Sequence, residues 1–308
     1  MKRILITGSN GLLGQKLVEL LSHCNSYHLT LTSIENESVF GATAFHYIPL
    51  DLIRKQDVRR AVDGAEPEVI INTAAMTNVD LCETNREMAW KTNVIAVENL
   101  ANAAKLTGAR VIHFSTDYVF DGMNGPYVES DRPNPLSYYG RTKLASENLL
   151  TTLGIPHTIV RTMVLYGVGN GVKVNFALWL LKNLSEEKPI KVVDDQLGNP
   201  TLADDLAYAV LKIIELERTG LYHIAGHDIV SRYQFAVQFA DIFGFDKKLI
   251  ASVKTSSIKQ AAPRPLKSGL ITLKAETDLG IKISGVAQGL RVFKNQLEVH
   301  MKNASKDE

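Results

Sequence analysis

The chain has 308 residues, of which 45% are hydrophobic and 22% charged, and its formal net charge is +1. This composition is that of a globular protein with a sizeable core, and the near-neutral charge excludes nucleic acid or an anionic membrane as the main partner. Its two cysteines, Cys24 and Cys82, lack metal-ligand spacing, and the apolar run after Met1 is too short for a signal peptide or membrane span. We therefore expect a cytoplasmic protein without a metal site or a membrane partner.

Short apolar runs predict strands along the first half of the chain. They cover residues 3–7, 28–32, 44–50, 68–72, 110–116 and 157–161. Helical periodicity follows residue 11 and covers 88–108 and 137–154. Because strands that alternate with helices form βαβ units, the predicted fold class is α/β, a Rossmann-type doubly wound parallel sheet.

After residue 161 the alternation loosens into glycine-rich and proline-bounded loops, with helical stretches such as 231–244. This pattern predicts a smaller C-terminal substrate-binding lobe, with a ligand crevice between the lobe and the sheet. We expect a dinucleotide-binding domain at 1–165 that also receives parts of 190–225. The lobe would be formed mainly by 166–300, and 301–308 would be a flexible tail.

The segment TGSNGLLG places Gly8, Gly11 and Gly14 between the first predicted strand and helix. Glycines at these places let the backbone approach a pyrophosphate, which the N–H groups at the helix start attract. A tight turn without a ligand is the plainer alternative. The position directly after the first strand favours a dinucleotide site.

The adenosine end of such a site is less clear. The second strand ends near Ser33 and Glu35, which matches neither the acid typical of NAD sites nor the arginine typical of NADP sites. Asp51 would accept from adenine or cap a helix. The small residues Ala74 and Ala75 would border the dinucleotide or only allow close packing. The expected cofactor is therefore NADPH or NADH.

The segment SYYGRTKLASE contains two tyrosines and a lysine. In a helix Tyr139 and Lys143 share one face, whereas Tyr138 is paired with Thr142. A nearby ammonium lowers the pKa of a phenol from about 10 and makes it a better acid or base near neutrality. An ordinary surface pair is the plainer alternative. The fifth strand would complete a catalytic site with the polar residues at its carboxyl end, Ser115, Thr116 and Asp117.

The ordered motifs TGxxGxxG, NxAA, STDYVFDG and YGRTK resemble the extended short-chain dehydrogenase/reductase family. The likeness covers nearly the whole chain and is strongest to members that act on nucleotide sugars in carbohydrate biosynthesis. It implies NAD(P)H-dependent reduction of the C4 ketone of a 4-keto-6-deoxy sugar, from dTDP-4-dehydro-L-rhamnose to dTDP-L-rhamnose. Tyr139 would give the proton, Lys143 would hold the ribose and lower the tyrosine pKa, and Thr116 would bond the same oxygen.

The resemblance also implies the remaining contacts. For the cofactor these are Gly8, Gly11, Leu12, Leu13, Gly14, Asp51, Leu52, Ala74, Ala75, Met76, Asn93, Ser115, Tyr139 and Lys143. For the nucleotide-sugar substrate they are Thr116, Asp117, Asn175 and Arg264. Asn175 and Arg264 lie on predicted loops and would hold the diphosphate, with solvated loop residues as the alternative. A homodimer is a possible assembly.

One motif departs from the family pattern. Rhamnose-forming members typically read RTSWVYG after the sixth strand, whereas this chain reads RTMVLYG, with Val164 in place of the tryptophan. Two alternatives therefore stay open: an epimerase, which shares the Tyr/Lys pair, and a non-catalytic NADP-binding regulatory subunit, as of methionine adenosyltransferase, which also lacks the tryptophan. A dehydratase is disfavoured, because dehydratases of the family usually have glutamate where this chain has Tyr118. Net consumption of NADPH with a keto-sugar would separate them.

Overall fold

The computed structural model describes residues 1–304. Its strands are β1 (Lys2–Thr7), β2 (Tyr27–Ser33), β3 (His46–Pro49), β4 (Val69–Asn72), β5 (Arg110–Thr116), β6 (His157–Thr162), β7 (Leu165–Tyr166), β8 (Ile190–Val193), β9 (Leu197–Gly198), β10 (Thr201–Leu202), β11 (Gly220–His223), β12 (Val230–Ser231) and β13 (Ile250–Val253). Its helices are α1 (Leu12–Ser22), α2 (Lys55–Ala65), α3 (Val79–Thr84), α4 (Arg86–Trp90), α5 (Ala96–Thr107), α6 (Tyr138–Leu153), α7 (Phe176–Ser185), α8 (Ala203–Glu215), α9 (Arg232–Phe243), α10 (Leu273–Leu279) and α11 (Val286–Ala304). A π-helical turn, Lys91–Ile95, joins α4 to α5.

The central sheet has seven parallel strands in the order β11-β6-β5-β4-β1-β2-β3. The six predicted strands are β1 to β6, with ends that shift by two residues at most. The strand order reverses beside β1, and ligands of open α/β sheets bind at such a switch point. The predicted fold class, an α/β doubly wound sheet of Rossmann type, is confirmed.

Alternating side chains on the central strands bury both faces of the sheet. On β1, Ile4 and Ile6 pack in one core cluster with residues of α1 and α8, whereas Leu5 packs in another with residues of α2, α5 and α6. Parallel strands buried on both faces need such continuous apolar runs. This two-sided burial fixes the strand ends that carry the site.

The C-terminal part of the chain contributes to both the sheet and a separate core. Strand β11 pairs with β6, and α8 shares the core cluster of α1, so parts of 190–225 return to the sheet. Helices α7, α9 and α11 pack around an aromatic cluster that includes Phe235, Phe239 and Phe293. The expected tail at 301–308 begins within α11, and residues 305–308 lie outside the described part of the chain.

Two features are absent from residues 1–304. No helix there combines the length and the apolar character needed to cross a bilayer. The same residues hold no cluster of three or more His, Cys, Asp or Glu side chains that could bind a metal ion.

Candidate active site

A cavity of about 860 Å³ runs along the carboxyl ends of the central strands and on to the C-terminal helices. Its size is that of a small-molecule site. The predicted residues that line it are Gly8, Gly11, Leu12, Leu13, Asp51, Leu52, Ala74, Ala75, Ser115, Thr116, Asp117, Tyr139, Lys143 and Asn175. The predicted residues that do not line it are Gly14, Met76, Asn93 and Arg264.

The three glycines of the first loop have different structural reasons. A Cβ on Gly8, which has a φ of +69°, would lie 2.8 Å from the backbone N of Ala74, and one on Gly14 would collide with the carbonyl oxygen of Gly8. Gly11 is exposed, and a Cβ there would meet only that carbonyl, at 3.2 Å. Gly8 and Gly14 are therefore required by packing. Gly11 is the position where a side chain would project towards a ligand.

The start of α1 leaves its N–H groups available to an anion. Gly11 is the N-cap residue, no side chain caps this helix end, and its first turn contains no acidic residue. The first N–H groups of a helix lack internal partners and, with the helix dipole, attract phosphate. This end of the cavity therefore fits the pyrophosphate of a dinucleotide.

The adenosine end contains the carboxylate of Glu35, which lies just beyond the end of β2 rather than at its tip. Ser33 donates its hydroxyl hydrogen to the Glu35 carboxylate, and Asn10 Nδ2 lies 3.4 Å from Glu35 Oε2. The bond from Ser33 is the main reason that the pKa of Glu35 is lowered. Asp51 accepts from the backbone N of Ile53 at 3.0 Å, while the N-cap of α2 is Arg54, so the alternative of Asp51 as a helix cap does not hold.

Several buried hydroxyls in the cavity wall have no hydrogen-bond partner among residues 1–304. Thr32 Oγ1, Ser115 Oγ and Thr162 Oγ1 are buried without a hydrogen bond, and all three residues line the cavity. Buried polar atoms are nearly always paired. Their number in one wall fits a polar ligand, and their spread from β2 to β6 fits the length of a nicotinamide dinucleotide.

The predicted catalytic tyrosine, Tyr139, is positioned by a close contact at the start of α6. Ser137 caps the helix by accepting from the backbone N of Gly140 at 3.2 Å. A Cβ on Gly140 would collide with the carbonyl oxygen of Tyr118, so only glycine lets α6 approach the end of β5 this closely. Tyr139, beside it, is 8% exposed and faces the cavity.

The pKa of Tyr139 differs from the sequence-based prediction. Burial raises this pKa above its usual value; the Thr116 hydroxyl opposes the rise, whereas the Asp117 carboxylate adds to it. The surroundings of Tyr139 therefore raise its pKa on balance, with burial as the largest cause. The expectation that the lysine pulls the phenol pKa down is therefore wrong for this geometry, because desolvation is the larger effect. Tyr139 is held fully protonated near neutral pH.

Lys143 is only 2% exposed and lies in a buried polar chain that the sequence analysis missed. Its Nζ is 3.3 Å from Nε2 of His113, whose Nδ1 is 3.1 Å from Asn72 Nδ2. Asn72 Oδ1 in turn accepts from Thr7 at 2.7 Å. Burial lowers the pKa of Lys143 to about 8. A histidine within a predicted strand carries no spacing signal, so only the fold connects it to the lysine.

Tyr138 has a different environment from its neighbour. It does not line the cavity. Its backbone N donates to Glu83 Oε2 at 2.9 Å, and the Arg86 guanidinium lies 5.2 Å from its ring centroid. The helical-face argument therefore places the two tyrosines correctly.

The polar end of β5 is tied to the C-terminal part of the chain. Thr116 Oγ1 donates to Asp117 Oδ1 at 3.0 Å and accepts from the backbone N of Tyr118 at 3.2 Å. Ser268 donates to the other oxygen of Asp117 at 2.6 Å. Burial raises the pKa of Asp117 to about 6. The hydroxyl hydrogen of Thr116 therefore points to Asp117, and a bond to a substrate oxygen requires that it turn away.

Asn93 and Met76, two predicted cofactor contacts that do not line the cavity, are hydrogen-bonded to each other. Asn93 lies in the π-helical turn and is buried; its Oδ1 accepts from the backbone N of Met76 at 2.8 Å. Its Nδ2 donates to the Met76 carbonyl and to Thr142 Oγ1, both at 3.1 Å. Because both polar atoms of Asn93 are used, the residue joins the loop after β4 to α6 and positions the cavity wall.

Of two predicted substrate residues, Asn175 lines the cavity and Arg264 does not. Asn175 lines the cavity but also caps α7 by accepting from the backbone N of Leu178 at 3.1 Å. Arg264 lies outside the lining, because its guanidinium pairs with Asp80 at 2.8 Å and with the Ala262 carbonyl at 2.9 Å. Arg232, at the start of α9, does line the cavity, and the sequence analysis did not select it.

Comparison with known proteins agrees with this geometry. The sequence matches the RmlD substrate binding domain family over residues 1–299. It is 34% identical over 304 residues to a dTDP-4-dehydrorhamnose reductase from Aggregatibacter actinomycetemcomitans, a match that covers 94% of this chain and 98% of the relative.

Solved structures show the same likeness. A dTDP-4-dehydrorhamnose reductase from Clostridium acetobutylicum is 36% identical with a TM-score of 0.86, over 96% of this chain and 99% of that one. One from Bacillus anthracis, solved in complex with NADP, is 31% identical with a TM-score of 0.87, over 96% and 100% of the two chains. The resemblance inferred from the motifs is confirmed. The chain belongs to the RmlD substrate binding domain family.

Proposed function

We propose that this protein is an NAD(P)H-dependent reductase that converts the C4 ketone of dTDP-4-dehydro-L-rhamnose into the hydroxyl of dTDP-L-rhamnose. The observation that carries this proposal is the buried, protonated Tyr139 beside Thr116, in a cavity that begins at an uncapped helix end. Carbonyl reduction needs a positioned acid and a donor near the developing alkoxide. Relatives with the same architecture are named for this reaction.

Each residue contributes a separate step. When bound, the reduced nicotinamide cofactor supplies the hydride for C4. Tyr139 gives its phenolic proton to the carbonyl oxygen, and its raised pKa keeps that proton in place until the oxygen becomes basic. Lys143 holds ribose hydroxyls with its ammonium. Thr116, fixed by the Tyr118 N–H, can donate to the same oxygen if it releases Asp117.

The rival activities differ at identifiable residues. A dehydratase would need a carboxylate at position 118; the Tyr118 ring instead packs edge-on against Tyr139, with ring centroids 5.6 Å apart. An epimerase would return its hydride and consume no net NADPH. A regulatory subunit would bind the cofactor without turnover. This alternative stays open because Val164 replaces the family tryptophan.

The deciding experiment supplies dTDP-4-dehydro-L-rhamnose and NADPH to the purified protein and follows NADPH absorbance, with the product identified by NMR. We expect stoichiometric NADPH oxidation and dTDP-L-rhamnose. The Tyr139→Phe variant is the matched control for cofactor binding without proton donation. Cofactor binding with no oxidation by the wild type would instead support the regulatory subunit.

Three further features are part of the proposal. The division into a dinucleotide-binding domain at 1–165 and a substrate lobe at 166–300 is supported by the separate aromatic core of α7, α9 and α11. The homodimer is supported by the family resemblance alone. The cytoplasmic location is supported by the free cysteines Cys24 and Cys82. Sedimentation and cell fractionation would test the last two.

A further inference from the structure

Arg232 is the first residue of α9, a place that helix stability does not explain. Ser231 caps this helix in a capping box with Gln234. The positive end of the helix dipole disfavours a cation in the first turn. The arginine is therefore held there at a cost, and a role outside the helix would account for it.

Within residues 1–304 the guanidinium of Arg232 forms no ion pair and no side-chain hydrogen bond. The backbone N of Arg232 donates to the Gln196 carbonyl at 3.2 Å. The guanidinium lies 5.0 Å from the ring centroid of Phe176, which also lines the cavity. An arginine over an aromatic ring keeps all its N–H donors in a fixed orientation. Arg232 is thus an oriented, unpaired cation at the cavity wall.

The neighbours of Arg232 place it near the reacting end. Arg232 lines the same cavity as Thr116 and Asp117. Burial lowers the pKa of the Arg232 guanidinium, and the nearby Asp117 carboxylate partly offsets this effect without a hydrogen bond to the guanidinium among residues 1–304. Arg264 is paired with Asp80, so Arg232 is the more available of the two arginines for an anion.

We propose that Arg232 binds the diphosphate of the nucleotide-sugar substrate. This inference rests on the proposed function for the identity of the anion. In such a substrate the β-phosphate is attached to C1 of the sugar, across the ring from C4, so it lies one sugar ring away from the reacting carbon, on the side of the C-terminal lobe. The planar guanidinium fork matches two phosphate oxygens, and its prior orientation by Phe176 reduces the entropy lost on binding.

The test measures binding of dTDP and dTMP by calorimetry to wild type, Arg232→Met, Arg232→Lys and Arg264→Met. Loss of a charge-assisted contact should weaken dTDP about 10- to 100-fold in Arg232→Met, with a smaller loss for dTMP and partial recovery in Arg232→Lys. NADPH affinity should stay within about twofold. Arg264→Met should lose less, because Asp80 occupies that side chain.

Two outcomes would overturn the assignment: unchanged dTDP affinity in Arg232→Met, or a larger loss in Arg264→Met. The measurement needs no turnover, so it separates this inference from the proposed function. Arg232-dependent dTDP binding without reduction of the keto-sugar would refute the reductase alone. Reduction with an unchanged KM for the sugar nucleotide in Arg232→Met would refute only the role of Arg232.

Discussion

Nζ of Lys143 lies 3.3 Å from Nε2 of His113, inside the sheet and away from solvent. Asn72 turns its amide N–H towards Nδ1, since its oxygen accepts from Thr7. The proton of neutral His113 is therefore on Nε2, where it can be donated to Ser146 Oγ at 3.0 Å. The lysine thus faces an N–H group rather than a hydrogen-bond acceptor, and its ammonium must find acceptors in the cavity.

The first prediction concerns the pH dependence of cofactor binding. Burial lowers the pKa of Lys143 to about 8, against smaller opposing effects of Glu147 and Cys82. As pH rises through that value the ammonium is lost, so the affinity for NADPH should fall about tenfold between pH 7 and 9.5. Fluorescence titration measures this. Lys143→Met should bind more weakly at pH 7 and show no further fall, and a wild-type affinity that stays constant to pH 10 would contradict the prediction.

A second prediction tests the histidine. His113→Phe keeps an aromatic ring but leaves the Asn72 amide N–H without a partner and removes the donor to Ser146 Oγ, which should cost about 1–3 kcal/mol of unfolding free energy. Because Ser146 also donates to the Lys143 carbonyl at 2.7 Å, a shift of this hydroxyl would move Lys143, and kcat should fall about tenfold. Denaturant unfolding and steady-state kinetics measure the two effects. His113→Gln should recover part of the activity; equal kcat in His113→Phe and wild type would show that the chain is only structural.

The third prediction separates the glycines of the first loop. Gly11→Val should lose NADPH binding with a small loss of stability, because this position lines the cavity at the uncapped start of α1 and its Cβ would meet only the Gly8 carbonyl, at 3.2 Å. Gly14→Ala should instead lower the unfolding free energy by about 1–3 kcal/mol, because its Cβ meets the Gly8 carbonyl. Thermal unfolding and cofactor titration of both variants decide this. NADPH affinity that survives Gly11→Val would remove the loop from the cofactor site.

Local patterns predicted the parts of the fold that local forces determine. The strands β1 to β6, α1 and α6 follow from apolar runs and periodicity, and the Tyr139–Lys143 pair follows from helical spacing. The return of β11 to the sheet was foreseen only as a return of parts of 190–225. Its four residues carry no signal that names β6 as their partner.

Burial and side-chain pairing determine two properties of the site that the sequence did not predict: which arginine is free to bind a ligand, and the direction of the Tyr139 pKa shift. Arg264 and Arg232 are both arginines near predicted loops, and only the fold shows that Asp80 occupies the first and leaves the second unpaired. The sign of the Tyr139 pKa shift likewise depends on desolvation, which spacing does not reveal.

The fourth prediction concerns cofactor preference. Glu35 lines the adenosine end, and its lowered pKa keeps it ionised, which favours a ribose diol and opposes a 2′-phosphate. Lys173 lines the same cavity and partly offsets that charge, so we expect at most a modest preference for NADPH. Glu35→Gln should shift the ratio of NADH to NADPH dissociation constants about three- to tenfold towards NADPH, and Lys173→Met should shift it the other way. No change in either variant would place 2′-phosphate recognition elsewhere.

The last prediction distinguishes the adjacent tyrosines. Tyr139 faces the cavity with its proton held by burial, whereas Tyr138 lies outside the lining against Arg86. Removal of a positioned acid typically costs about 10²–10⁴ in rate. Tyr139→Phe should therefore lose that much kcat in NADPH oxidation with dTDP-4-dehydro-L-rhamnose, while its affinity for NADPH stays nearly intact. Tyr138→Phe should change kcat less than about tenfold, because only a peripheral hydroxyl is lost. If Tyr138→Phe were the more damaging change, the role assigned to Tyr139 would be wrong.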